Sequence, residues 1–346
     1  MNKLNTHTIK KFPKIELHCH LDGSVSGLQV YENLKLLGIY ATKDEILSKI
    51  IAPEICQDLT EYLSCFEWLT KCLKNPTLIF LAIEDICRQA IAENVIYLEL
   101  RFSPYHLSND KFTMKQVVET VITAVNKMKN KYPLKIGVIL CLMRGRDESI
   151  NNQVIELANH FRDKIVGLDL AGNESKYPTK MYLEQLAFIK HLEIPFTIHA
   201  GETGNVDNIR DAILSGAKRI GHGIAAKKSE EVVSLIKERD ITLEMCPKCN
   251  IQTKASKNWN DYPFDTFYRK EKLLVTVNTD NRTVSNTSLS QEFELLNNYC
   301  SELTLNDLYQ LTINALNASF LNNLEKEQLK EKIEMEYNNF CFKEQL

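Results

Sequence analysis

Lys14–Gly23, with the sequence KIELHCHLDG, shows the pattern that decides the fold, because a short apolar run ends there in polar residues and a glycine. Seven further runs of this kind follow along the chain, and longer segments with helical periodicity separate them. Strands that alternate with helices predict right-handed βαβ units and a parallel sheet. The eight predicted strands are Ile15–His20, Ile96–Phe102, Ile136–Met143, Val166–Leu170, Phe196–His199, Arg219–His222, Ile241–Met245 and Leu273–Asn278.

Eight such units are the number that closes a (β/α)₈ TIM barrel, and we predict this α/β fold for the chain. An open, doubly wound parallel sheet is the alternative architecture. Its dinucleotide-binding form is not supported, since no Gly-x-Gly-x-x-Gly motif follows the first strand.

The chain is longer than a bare barrel requires, with 346 residues against about 250. Two segments account for the surplus, residues 24–94 after the first strand and residues 281–346 after the eighth, and both have helical patterns. We therefore predict one domain over residues 1–346, and we expect the extra helices of the first segment to form a wall at the mouth of the pocket. One helical face there is predicted to carry Leu59, Tyr62, Leu63, Phe66, Leu69 and Leu73.

Composition excludes several classes of protein. Hydrophobic residues make up 44% and charged residues 25% of the chain, as in ordinary globular proteins, and the net charge of −3 favours neither nucleic acid nor an acidic membrane as a partner. No secretory signal or membrane-spanning run is evident, and the ten cysteines are expected to be reduced thiols of a cytoplasmic protein. A small-molecule substrate is the remaining expectation, and the oligomeric state stays open.

Polar residues at the strand ends indicate where the chemistry takes place. Side chains at i and i+2 of a strand share a face, so His18 and His20 point together. The fifth strand ends at His199, the sixth at His222, and the eighth is followed by Asp280, while Glu202 comes shortly after His199. A barrel brings these strand ends together at its top face, where the active sites of such barrels lie.

Three imidazoles and one carboxylate form a ligand set that suits Zn²⁺ and leaves a position for water, which can then attack an electrophilic carbon. This predicts metal-assisted hydrolysis, with one histidine and Glu202 left over for proton transfer. We expect a single metal ion, because strand four ends at Asp169–Gly172 without a lysine that could bridge two ions as a carbamate.

Cysteine motifs do not indicate the function of this chain. The H-x-E and P-C-x-x-C signature of the zinc deaminases that act on cytosine is absent. The CPKC motif, Cys246–Cys249, has no second pair for a zinc knuckle and does not open a thioredoxin-like unit, so we predict a loop at the top face.

The sequence resembles the adenosine deaminase family through seven segments, which follow in order along nearly the whole chain. The segments are HCHLDGS (His18–Ser24), YLELRFSP (Tyr97–Pro104), GLDLAGNE (Gly167–Glu174), TIHAGE (Thr197–Glu202), RIGHG (Arg219–Gly223), CPKCNIQT (Cys246–Thr253) and VNTDN (Val277–Asn281). The resemblance implies a barrel enzyme with one Zn²⁺ that converts adenosine and 2′-deoxyadenosine to the inosines and ammonia.

The resemblance also implies a role for each matching residue. His18, His20, His199 and Asp280 would be the metal ligands. Glu202 would protonate the purine N1, and His222 would orient the attacking water and help to deprotonate it. The substrate contacts would come from His20 beside the metal, Asp22 at the ribose hydroxyl, the backbone of Gly172 at N3, and residue 281.

Residue 281 is the one departure from the family pattern. Many members have a second aspartate there, at the purine N7, whereas this chain has Asn281. An asparagine amide can donate to N7 without being protonated, so we expect activity to survive. Two other functions remain open: a deaminase of adenine or of another modified 6-aminopurine nucleoside, and a catalytically silent binding protein or secreted growth factor on the same barrel.

Overall fold

Eight parallel strands form the centre of the structure, a computed structural model that describes residues 4–344. All eight predicted strands are present, and each end lies within two residues of its predicted position. The strands are β1 (Lys14–His20), β2 (Val95–Phe102), β3 (Lys135–Met143), β4 (Gly167–Ala171), β5 (Thr197–Ala200), β6 (Arg219–His222), β7 (Thr242–Met245) and β8 (Val275–Val277).

The strands pair in chain order and close on themselves. β1 to β4 form one parallel four-stranded sheet and β5 to β8 form another. A parallel bridge between Leu168 and Phe196 joins β4 to β5, and one between Cys19 and Asp280 joins β1 to the residues after β8. The closed order confirms the α/β barrel, and it places the carboxyl ends of all the strands on one face.

Helices follow the strands and surround them. They are α1 (Thr6–Lys11), α2 (Leu21–Ser24), α3 (Gly27–Leu36), α4 (Lys43–Ile50), α5 (Leu59–Ser64), α6 (Phe66–Lys71), α7 (Pro76–Ala92), α8 (Pro104–Leu107), α9 (Met114–Lys131), α10 (Glu148–His160), α11 (Leu183–His191), α12 (Val206–Ser215), α13 (Glu230–Glu238), α14 (Pro247–Gln252), α15 (Leu289–Tyr299), α16 (Leu305–Ala318) and α17 (Asn323–Glu344). Short 3₁₀ segments lie at Thr179–Tyr182, Ile224–Lys228 and Trp259–Asp261, and a π-helical turn at Asp265–Lys270.

Local sequence explains why many of these helices begin where they do. The side chain of Asn75 accepts a hydrogen bond from the backbone N–H of Leu78, and Pro76 occupies the first position of α7, where its missing N–H costs nothing. Thr113 and Gln116 form a reciprocal capping box at the start of α9. Gly216 ends α12 in the left-handed conformation, with φ +102°.

The strands are buried on both faces. Every residue of β2, β4, β5, β6, β7 and β8 is buried, as expected where helices cover the outside of a parallel barrel and side chains fill its inside. Outward positions such as Leu98 and Ile220 are apolar, whereas several inward positions carry charge, among them Arg101, Arg219 and Glu244. The interior of the barrel therefore contains charged side chains, and their charges must be neutralised by one another.

The surplus residues form the predicted helices. Residues 24–94 contain α3 to α7, and the residues after β8 contain α15, α16 and α17. The predicted apolar face in the first segment is divided between two short helices, because the chain turns at Cys65 between α5 and α6. Among the described residues, no helix has the length and apolar character needed to cross a membrane.

Candidate active site

Four side chains with metal-ligating atoms converge at the carboxyl ends of the strands. His18, His20, His199 and Asp280 each offer one atom, and these four atoms all lie within 4.8 Å of one another. His18 and His20 lie two residues apart on β1, His199 lies on β5, and Asp280 follows β8. The structure thus brings together the four residues expected to hold the metal.

The distances in this cluster fit a single tetrahedral ion. His199 Nε2 lies 3.0 Å from His18 Nε2 and 3.2 Å from His20 Nε2. Asp280 Oδ1 lies 3.2 Å from the Nε2 atoms of both His18 and His20. Ligands about 2.0–2.1 Å from one centre stand roughly 3.3 Å apart at the corners of a tetrahedron. The residues present therefore fit a bound metal ion.

Hydrogen bonds behind the ligands fix which ring nitrogens carry protons. Glu244 Oε2 lies 2.7 Å from His18 Nδ1, and Asp169 Oδ1 lies 3.1 Å from His199 Nδ1. A carboxylate only accepts, so both Nδ1 atoms are protonated, and both Nε2 atoms present lone pairs. Two lone pairs that face each other repel, which makes this arrangement suitable for a cation.

Arg101 holds these two carboxylates in place. Its guanidinium donates to Glu244 Oε2 at 2.9 Å and to Asp169 Oδ2 at 3.1 Å, and all three side chains are buried. The nearby Arg101, together with the donating histidines, keeps the pKa values of both carboxyls below their ordinary range, against the effect of burial. Both groups are thus charged acceptors at neutral pH.

The ring nitrogens are uncharged in most of the cluster. Burial lowers the pKa of His18 to about 4, and it also lowers the pKa values of His199 and His222. His20 differs, because hydrogen bonding and attraction to Asp280 raise its pKa in spite of burial. Neutral imidazoles are the form in which histidine binds a metal.

Glu202 lies beside the cluster and is buried, and within residues 4–344 no cationic partner stands at hydrogen-bond distance from it. Burial raises the pKa of its carboxyl to about 8, and repulsion from the charge of Asp280 adds to this. The nearest imidazole nitrogen, His222 Nε2, lies 3.7 Å from Glu202 Oε2. Glu202 is therefore protonated at neutral pH and can act as an acid.

His222 is oriented by Asn250. Asn250 Nδ2 lies 2.9 Å from His222 Nδ1, while Asn250 Oδ1 accepts from the backbone N–H of Cys246. Since the amide oxygen is already used, Nδ2 donates to Nδ1, and the neutral ring carries its proton on Nε2, toward Glu202. His222 and Asp280 both have positive φ, at +64° and +58°, which non-glycine residues adopt mainly at constrained sites.

The cluster opens into a cavity of about 330 Å³. Two side-chain oxygens at this cavity, Asp22 Oδ1 and Asn281 Oδ1, are buried and have no hydrogen-bond partner among the residues that the structure describes. Gly172, with φ +105°, also lines the cavity. Unsatisfied buried acceptors are costly, so these groups indicate where a ligand would bind.

Helices α5 and α6 form one wall of this cavity. Leu59, Tyr62, Leu63 and Phe66 line it, opposite the barrel strands. Leu69 and Leu73, from the same predicted face, are instead fully buried in the core. The expectation that the insertion after β1 walls the pocket is confirmed for α5 and the start of α6.

Several functional neighbours were not anticipated from the sequence. The predicted top-face loop at CPKC is wrong, since Pro247–Gln252 forms α14, and Cys249 Sγ lies 2.9 Å from Asp280 Oδ2. No local pattern links these two residues. Glu244 and Arg101 did carry a signal, because a charged residue in the middle of a buried strand requires a buried partner.

The chain is similar to known proteins over nearly its whole length. A model of the adenosine deaminase family matches residues 13–336. An adenosine deaminase from Enterococcus faecalis is 39% identical over 332 residues, which cover 95% of this chain and 98% of that protein. One from Clostridium perfringens is 37% identical over 340 residues, which cover 97% of this chain and 99% of that protein.

Solved structures share the fold. An adenine deaminase from Arthrobacter aurescens has a TM-score of 0.86 at 21% identity, over 93% of this chain and 98% of that one. An arabidopsis N6-mAMP deaminase has a TM-score of 0.85 at 25% identity, over 95% of this chain and 99% of that one. Because the family match extends from before β1 to within α17, and so includes every strand that carries a candidate ligand, the chain belongs to the adenosine deaminase family.

Proposed function

We propose that this protein is a zinc-dependent hydrolase that converts adenosine and 2′-deoxyadenosine to inosine and 2′-deoxyinosine with release of ammonia. The observation that carries the proposal is the meeting, in one cavity, of a three-histidine, one-aspartate cluster and a protonated glutamate. The relatives named adenosine deaminase support the substrate. The proposal takes residues 1–346 as one catalytic domain with a cytoplasmic location.

His18, His20, His199 and Asp280 would hold one Zn²⁺, which nitrogen and carboxylate ligands suit. When bound, zinc would supply a Lewis acid that makes water a nucleophile near neutral pH. Burial keeps the rings of His18 and His199 uncharged, and the protein must also fix which ring nitrogen faces the metal. Glu244 and Asp169 do so by accepting from the Nδ1 atoms of His18 and His199.

Glu202 would donate a proton to the purine N1 as water adds at C6. Addition at C6 breaks the aromaticity of the ring and moves the electron pair of the C6=N1 bond onto N1, where it binds the proton that Glu202 gives up. The raised pKa supports this role, because a carboxylic acid with a pKa of about 8 still carries its proton at pH 7.

His222 would orient the attacking water. With its Nδ1 occupied by Asn250, the neutral ring donates from Nε2 and so can fix the oxygen of the nucleophile. The additional expectation that His222 removes the water's proton requires a free Nε2 lone pair, and the Asn250 contact opposes that tautomer. We therefore assign His222 the orienting role.

The remaining substrate contacts would come from His20, Asp22, Gly172 and Asn281, all of which line the cavity. Asp22 Oδ1 is a buried acceptor without a partner, and a ribose hydroxyl would satisfy it. Bare adenine has no hydroxyl to offer, so this oxygen favours a nucleoside. The Gly172 backbone would meet N3, and the amide of Asn281 would meet N7.

The test is a spectrophotometric assay of the purified protein with adenosine, 2′-deoxyadenosine, adenine and N6-methyladenosine, together with the zinc content per chain. We expect the absorbance change of deamination with the first two substrates and about one zinc per chain. Turnover of adenine or N6-methyladenosine in preference to adenosine would support the second candidate, a deaminase of another 6-aminopurine. No turnover of any of these by the zinc-loaded protein would contradict both.

A further inference from the structure

Tyr62 connects the helical insertion to the amide that faces the substrate. Asn281 Nδ2 lies 3.1 Å from Tyr62 Oη, and Tyr62 Oη lies 2.7 Å from Ser285 Oγ. All three residues are buried, at 3%, 2% and 0% exposure. Tyr62 comes from α5, whereas Asn281 and Ser285 follow β8, so this contact joins the two regions that exceed a bare barrel.

The hydroxyl at the centre of this chain, which also has the Cys249 thiol beside it, can pair with Asn281 in two ways. In the first, Tyr62 donates to Ser285 and accepts from Asn281 Nδ2, which leaves Asn281 Oδ1 as an acceptor without a partner. In the second, Ser285 donates to Tyr62, and Tyr62 donates to Oδ1 of an amide turned by 180°. That arrangement presents the Asn281 NH₂ group instead. Amide oxygen and nitrogen are nearly equal in size, so the turn needs no extra space.

The far edge of the amide is held by Gly23. A Cβ atom built at Gly23 would stand 1.8 Å from Asn281 Oδ1, so only glycine leaves room for the amide there. The amide is thus confined between Gly23 on one side and the Tyr62 hydroxyl on the other. The hydroxyl is therefore the polar group of the protein that holds the amide, and the amide atom that it does not bind is the one offered to a ligand.

We propose that Tyr62 is the positioning residue for Asn281, and that the Ser285–Tyr62–Asn281 chain selects purines with a hydrogen-bond acceptor at ring position 7. This inference rests on the proposed function, in which the amide meets N7 of the substrate. The N7 atom of adenosine has a lone pair and no proton, so it requires the second arrangement. Aspartate at position 281 would have to be protonated to serve N7, whereas the asparagine serves it at any pH because Tyr62 orients it.

The test compares adenosine with 7-deazaadenosine, in which a C–H group replaces N7. In Tyr62→Phe we expect the KM for adenosine to rise by about tenfold, the range of one neutral hydrogen bond, with kcat within about twofold. The inhibition constant of 7-deazaadenosine, measured against adenosine, should stay within about twofold of its wild-type value. Equal losses for the two ligands would mean that Tyr62 is only part of the apolar wall, and would overturn the proposal.

Two further variants separate positioning from packing. Phe66→Leu changes an apolar side chain of the same wall. It should change the KM for adenosine and the inhibition constant of 7-deazaadenosine by the same factor. Ser285→Ala removes the hydroxyl that competes with Asn281 Oδ1 for the Tyr62 hydrogen, so the KM for adenosine should not rise; a rise equal to that of Tyr62→Phe would contradict the assignment. Failure of the wild-type protein to deaminate adenosine would instead refute the proposed function.

Discussion

At the scale of single residues, Glu202 and Asp280 are two carboxyl groups of one cavity, and the structure shifts their pKa values in opposite directions. The neighbouring His18 and His20 rings hold the pKa of Asp280 well below its ordinary value, against burial. At Glu202 burial is the larger effect, and with repulsion from Asp280 it raises the pKa to about 8 in spite of a hydrogen bond with Thr253. One group is therefore a charged ligand and the other a proton donor, which is how two carboxyls can divide a reaction between them.

Glu202→Gln separates these roles. Glutamine keeps the size of the side chain but cannot donate a proton to N1, so we expect kcat to fall by about 10²- to 10⁴-fold with the zinc content unchanged. Asp280→Ala is the matched variant, and it should lose zinc as well as activity. Metal analysis and steady-state kinetics on the same preparations check both. Loss of zinc from Glu202→Gln would show that the roles are wrongly assigned.

At the scale of elements, β6 determines how closely two of the candidate ligands can approach. Gly221 lies between them, since a Cβ atom there would stand 3.0 Å from His18 Cε1 and 3.3 Å from His199 Cα. β6 therefore needs a residue without a side chain next to the metal cluster. The first glycine of RIGHG, Gly221, is explained by this packing rather than by an unusual φ angle.

Gly221→Ala is expected to displace the His18 ring by a few tenths of an ångström and to lower zinc affinity by about tenfold or more. Competition with a chelator measures this in the folded protein. Gly137→Ala in β3 is the matched control, because its Cβ would meet Tyr97 Oη and Val166, away from the cluster. The control should lose thermal stability and keep its zinc affinity; equal losses of affinity in the two variants would contradict the explanation.

Helix α15 buries a carboxyl group whose charge is not neutralised. Glu292 is fully buried, Oε2 accepts from the backbone N–H of Lys248, and Oε1 has no partner. Burial raises the pKa of Glu292 to about 8 from an ordinary value near 4.5. The folded state therefore keeps a proton that the unfolded state loses, and the stability that this group contributes falls as the pH rises from about 4.5 to 8.

Glu292→Gln mimics the protonated carboxyl at every pH. We expect its melting temperature to equal that of the wild type near pH 5 and to exceed it by at least about 2 °C at pH 9, the shift that about 1 kcal/mol produces in a large domain. Thermal unfolding across this range measures the difference. Glu294→Gln, in the same helix but only partly buried, controls for the loss of one charge. A constant difference at all pH values would refute the argument.

At the scale of the whole molecule, a charged network runs through the barrel interior from its bottom to the metal cluster. Arg219 donates to Glu244 at 2.6 Å and to the carbonyl of Ala318 at 2.9 Å, near the C-terminal helices. Glu244 in turn contacts His18 and Arg101. The same side chains thus neutralise the core and orient the ligands, so stability and metal binding depend on one set of contacts.

Arg101→Met tests this dependence. Removal of one partner from a buried ionic network leaves charge uncompensated, and we expect a loss of about 3–5 kcal/mol in the free energy of unfolding. We also expect weaker zinc binding, because Asp169 and Glu244 lose the group that aligns them. Urea unfolding and chelator competition measure the two effects. Arg88→Met is the control, since Arg88 is half exposed and its ion pairs, at 3.9 Å, should contribute little.

The sequence by itself determined the order of the elements and the identity of the chemical groups. Alternating apolar runs and helical periods were sufficient to place all eight strands, because both signals are local. The polar residues at the strand ends predicted the cluster as well, since a closed parallel barrel brings every carboxyl end to one face. The rule brings the four histidines, Glu202 and Asp280 together although they are far apart in the chain, and the resemblance to the family indicated which four of them form the cluster of ligands.

Only the tertiary structure decided which neighbours act on those groups. The contacts of Cys249 with Asp280 and of Tyr62 with Asn281 join residues with no shared local pattern. The proton positions on His18 and His222 depend on Glu244 and Asn250, which reach them from other elements. The physical reason is that hydrogen bonds and electrostatic shifts act over a few ångströms of space. A sequence specifies such distances only after the chain has folded.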